Sequence, residues 1–174
     1  MKGRMLVFWL SVFAGLWLFF GSFGTSTFQR QEEVQLFIPE WGVIRDMLSL
    51  PGGFCAVAGQ ALVQYYTSSL FVLWVNSAFL CVIGFLSYLL LQEIAPRGYN
   101  LLLALFPVLI LVKAHTSSFY VLDGTIGLFI LLLFSYVFVR IRKPKVQLFY
   151  GVASVFFIYG LAGQLVMLYG LVVV

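Results

Sequence analysis

The chain has 174 residues, of which 63% are hydrophobic, 18% aromatic and only 9% charged, with a net charge of +4. About a quarter of the residues of soluble domains are charged, so this composition excludes a water-soluble enzyme and predicts an integral, all-α membrane protein with about five transmembrane helices. The positive charges form short clusters at the ends of hydrophobic runs, with no basic face, which excludes a nucleic-acid-binding protein.

The first apolar run, residues 5–23, is long enough at 1.5 Å per residue to cross about 30 Å of hydrocarbon. Lys2 and Arg4 precede it, and the small residues at Ser22-Phe23-Gly24 also fit a cleavable signal segment. Trp9, Trp17, Phe19 and Phe20 make the run bulky for such a segment, and a retained anchor is the expected outcome.

A polar insert follows, Thr25 to Tyr66, within residues 24–67. It carries Glu32, Glu33, Glu40 and Asp46, four of the six acids in the chain. Pro39, Glu40, Trp41, Ile44, Met47 and Leu48 have helical spacing, with Arg45, Asp46 and Ser49 on the other side. Pro51-Gly52-Gly53 stops that helix. Phe54 to Tyr66 reads as a second, more apolar helix with Gln60 and Gln64 four apart. Both are expected to lie at the membrane surface, where the rings of Trp41, Tyr65 and Tyr66 suit the headgroup level; a plain ordered loop with one surface helix is the alternative.

Four further runs are expected as spans: 69–91, 98–114, 119–139 and 146–174. The third is short and contains Pro107, which predicts a kinked, tilted or broken span. The fifth runs to the last residue with no polar terminus, the pattern of an N-terminal fragment of a longer protein or of a short subunit of a complex. Positive residues in short loops stay cytoplasmic. An inside N-terminus puts Lys2, Arg4, Arg97, Arg140, Arg142, Lys143 and Lys145 in the cytoplasm and leaves Arg30, Arg45 and Lys113 on the other side. The insert then faces outward, into the periplasm if the membrane is a bacterial inner membrane.

Cys55 and Cys81 have neither metal nor redox spacing and read as packed, unpaired thiols. No metal site or cofactor is predicted from a motif, and HExxH, GxSxG and phosphate-loop patterns are absent. The candidate chemistry is sparse. Glu32 and Glu33, held near the outer surface by a short tether, suit a divalent cation or a general base, although adjacent acids diverge in direction and two solvated loop acids are the plainer reading. Lys113, His115 and Asp123 gather at the outer ends of the third and fourth runs, joined by Thr116-Ser117-Ser118. Ionisable groups at membrane depth are costly and often functional; Lys113 is also able simply to snorkel, and Asp123 to serve as a satisfied structural carboxylate. Asn76, Gln92, Gln164 and the glycines of the fifth run read as helix-packing residues, and the Arg140 to Lys145 loop as a topology signal with affinity for anionic lipid.

The segment Phe28-Gln-Arg-Gln-Glu-Glu-Val-Gln-Leu-Phe37, with Pro51-Gly-Gly53, Gln60 and Tyr65-Tyr66, resembles the bacterial membrane-protein family known as domain of unknown function 6057. That likeness implies a polytopic protein and brings no activity with it. More widely, one span, an outward acidic loop with juxtamembrane helices and then further spans resemble the start of membrane glycosyltransferases that use lipid-linked sugars. This second likeness implies a loop acid at Glu32 or Glu33 and an acid early in a later span at Asp123; Lys113, His115 and Arg30 are the candidate contacts to lipid or phosphate. No Asp-Glu or Asp-x-Asp pair is present, and architecture does not fix function. Two readings follow: a module of a transferase whose donor is a polyprenyl-phosphate sugar, or a non-catalytic scaffold or assembly subunit that packs against other membrane subunits. Transport is a third, for which the midplane carries few polar groups.

Overall fold

A computed structural model describes residues 2–23, 25–35, 37–117 and 119–173. Gly24 of the candidate cleavage site, Ser118 of the short turn, Leu36 and Val174 lie outside them. Among the described residues the chain is all-helical, with ten α-helices and one 3-10 turn. Four segments are long and apolar enough to cross a membrane: Gly3–Ser22, Ser69–Ile94, Asp123–Arg140 and Pro144–Val172.

Helix α1 is Lys2–Phe23. The insert folds into α2 (Thr25–Val34), α3 (Trp41–Leu48) and α4 (Gly53–Val63). Glu32 and Glu33 are thus on a helix, and Phe28 and Gln31 of α2 with Gln35 just beyond its end are buried, a three- and four-residue spacing that defines one face. The left-handed Gly52 (φ 83°) starts α4, a backbone conformation that side-chain-bearing residues rarely adopt.

Helix α5 (Ser69–Ile94) is the centre of the bundle and packs on α1, on α7 and most extensively on α8. The third run divides into α6 (Asn100–Leu103) and α7 (Leu105–His115). Pro107 is the reason: it has no N–H to donate to the carbonyl of Leu103 and its ring crowds that turn. Asn100 ties the segment to the end of α5 by donating from Nδ2 to the Leu91 and Ala95 carbonyls at 3.1 and 2.7 Å. Helix α8 is Asp123–Arg140, so Phe119 to Leu122 precede the helix expected to include them.

The fifth run also divides. Helix α9 is Pro144–Ala162, the 3-10 turn is Gly163–Leu165 and α10 is Val166–Val173. Ser154 and Tyr169 would stand about 22 Å apart in a straight helix, yet their hydroxyls hydrogen-bond at 2.5 Å. The chain therefore reverses at Gly163 (φ 60°, ψ −124°), and α10 returns along α8 and α9 with the Tyr169 ring edge-on to Phe138. Close packing and this buried hydroxyl pair hold α10 against α9.

Candidate functional site at the insert end

The insert folds onto one end of the bundle. Gly59 of α4 lies so close to α8 that an added Cβ would stand 3.0 Å from the backbone nitrogen of Asp123. Gly52 donates its N–H to the Gly160 carbonyl at 3.0 Å, and the two left-handed glycines meet: a Cβ on Gly52 would lie 3.3 Å from the Gly163 nitrogen. Two chain reversals, Pro51-Gly-Gly53 and Gly163–Leu165, are thus stacked on each other. Between them and the first turn of α8 lies a cavity of about 440 Å³.

Asp123 is the ionisable carboxylate of that cavity, with Met47, Leu50, Pro51, Cys55, Gln164 and Leu165 among the other walls. It is half-buried and is the first residue of α8, where the helix dipole favours a negative charge. Its Oδ1 accepts the N–H of Gly124 at 2.5 Å. Burial, reinforced by the charge of Asp123, pushes the Cys55 thiol up to about 11, so Cys55 is an inert wall and no nucleophile near neutral pH. Cys55 and Cys81 are both free, as unpaired thiols.

The remaining candidate residues sit around a second, buried junction. Gln31 Nε2 donates to the Ser117 carbonyl at 2.8 Å and Gln35 Nε2 to the Tyr120 carbonyl at 2.8 Å, clamping α2 to the chain between α7 and α8. His115 is buried against the Phe20 and Tyr120 rings. Its Nδ1 lies 2.8 Å from the Leu111 carbonyl and must carry the proton to bond there; Nε2 then faces inward without a partner among the described residues. Tyr66, whose ring packs edge-on to Phe28 of α2, forms a reciprocal pair with Asn76, with Asn76 Nδ2 donating to the Tyr66 hydroxyl at 3.0 Å and the hydroxyl donating to Oδ1 at 3.1 Å. His115 is thus packed inside, while Lys113 and Arg30 are exposed. Glu33 is exposed and Glu32 half-buried on α2, and neither lines the Asp123 cavity.

The cavity therefore takes one of the three candidate acids and adds Gln164 and the Pro51-Gly-Gly53 turn, to which the sequence assigns packing and helix-stopping roles. An amide beside a glycine inside a long apolar run was the available signal. Among the described residues no group of three or more His, Cys, Asp or Glu side chains gathers in a metal-binding arrangement. No curated protein and no solved structure matches the chain. A family model described as a family of unknown function (DUF6057) matches residues 1–174, extending the likeness over Phe28 to Tyr66 to the full length, and the chain belongs to that family.

Proposed function

We propose that the chain is a membrane module of a bacterial inner-membrane transferase that uses a polyprenyl-phosphate sugar, with its N-terminus cytoplasmic and the insert end outside. The supporting observation is the half-buried Asp123 in a cavity walled by both insert and spans. In this reading the Asp123 carboxylate takes the proton of an acceptor hydroxyl while that oxygen bonds to the anomeric carbon. The bond from the same carbon to the phosphate oxygen breaks, and its electron pair leaves with polyprenyl phosphate. Lys113, Arg30 and Arg45, all exposed, are the cations of the insert side available to the phosphate.

The test is Asp123→Asn in the native membrane, followed by mass spectrometry of outer-surface glycans. Loss of a general base lowers transfer by about 10²–10⁴-fold; glycans identical to wild type refute the reading. Glu32→Gln and Glu33→Gln leave the products unchanged if Asp123 is the base, and a loss confined to those two moves the base to α2. The scaffold reading draws on a different observation, that none of the residues of α3 is buried while Trp41 is 72% exposed. Crosslinking from Trp41 that captures only lipid removes it.

A further inference from the structure

We infer that the Asp123 cavity is a subsite for an uncharged polyol, the sugar part of a substrate, and not for its phosphate. The place of this subsite in a reaction rests on the transferase reading, whereas the ligand class follows from the walls. Helices α4 and α8 both open their first turns on the cavity, through Gly53 and Asp123. Each N-terminus is equivalent to about half a positive charge, and the C-terminal ends of α3 and α9, which reach the cavity through Met47 and Ala162, to about half a negative charge each, so the helix ends cancel and the carboxylate is the net charge of the walls. Among the described residues no Lys, Arg or His lines the space. A phosphate would meet Asp123 with no cation between them.

A glycine-rich turn at a helix start is also how proteins cradle phosphate, through free backbone N–H groups. Here the N–H groups of the glycines are spent. Gly52 donates to the Gly160 carbonyl, Gly53 to the Leu50 carbonyl, Gly124 to Asp123 and Gly163 to the Tyr159 carbonyl. Of the side chains that line the space, the Asp123 carboxylate accepts and the exposed Gln164 amide both donates and accepts. Neighbouring hydroxyls of a sugar match this set, one donating to Asp123 and the next accepting from Gln164. Met47, Leu50 and Leu165 supply an aliphatic wall for the C–H face of the ring, and the volume of about 440 Å³ falls within the range of small-molecule sites.

The full chain in phosphatidylcholine nanodiscs is titrated with glucose, galactose, mannose and N-acetylglucosamine by saturation-transfer NMR, with inorganic phosphate as competitor. At least one sugar is expected to bind. Asp123→Asn weakens it about tenfold, the loss of one charge-assisted hydrogen bond, with an unchanged melting temperature. Gln164→Leu weakens it less, and phosphate does not displace it. Silence from all four sugars overturns the inference, as does phosphate binding that tightens in Asp123→Asn. Sugar binding lost in Asp123→Asn, together with wild-type glycans in cells carrying that variant, upholds the subsite and removes the transferase.

Discussion

Replacing Gly163 by alanine strikes the reversal on which both α10 and the cavity depend. The residue holds φ 60° and ψ −124°, a region nearly reserved for glycine, and a side chain there costs about 1–3 kcal/mol. The new Cβ would also stand 3.1 Å from the Pro51 carbonyl oxygen, which belongs to backbone and has little room to yield. Gly160 is the internal control: it lies in α9, three residues earlier, and an added Cβ meets nothing within 4 Å. Alanine at that position gains about 0.5–1 kcal/mol from the lower backbone entropy of the unfolded chain. The two variants should therefore differ by about 1.5–4 kcal/mol in unfolding followed by circular dichroism in mixed micelles, with Gly163→Ala the less stable. Equal stabilities would mean that glycine does not fix the reversal, and the stacking of the two turns would lose its physical basis.

Tyr66→Phe leaves the buried Asn76 amide without its reciprocal partner and should cost about 1–3 kcal/mol; the double variant with Asn76→Leu should cost less than the sum, and additive losses in the same unfolding assay would contradict the pairing. Gln35→Leu removes the 2.8 Å bond to the Tyr120 carbonyl, so amide exchange across α2 should accelerate while that of α5 stays unchanged, and unaltered α2 exchange would show that the clamp carries no energy. Cys55, raised from 9.0 to about 11, should react with iodoacetamide at pH 8 about 100-fold more slowly than an ordinary thiol, because each unit removes tenfold of the thiolate. Its rate should climb about tenfold per pH unit until the pH nears that value, and a rate at pH 8 within threefold of a free thiol would mean that Cys55 is not buried.

The long apolar runs were legible because a spanning helix needs only length and composition, and α1, α5 and α8 lie close to the expected limits. Pro107 announced its break, since the missing N–H acts locally. The reversal at Gly163 was not legible: a glycine in an apolar run reads equally as a packing residue, and only the contact between Ser154 and Tyr169 reveals the turn. Helix α2 shows the same limit. The burial of Gln31 and Gln35 depends on carbonyls about 85 residues further along the chain, exposed by the irregular backbone after α7, so Glu32 and Glu33 between them read as solvated loop acids. Asp123 stood out because an acid inside an expected span, 119–139, is conspicuous, whereas Gln164 acquires meaning only from the fold that sets it at the cavity wall.

In the proposed orientation the Asp123 cavity opens on the outer face of the membrane. Gln164 is exposed at its wall, so the direct measurement is labelling of Gln164→Cys, in a chain carrying Cys55→Ala and Cys81→Ala, with a membrane-impermeant maleimide applied to spheroplasts. Labelling in intact spheroplasts, with no further gain on lysis, is the predicted result. Labelling that appears only after lysis would place the cavity on the cytoplasmic side and contradict the account.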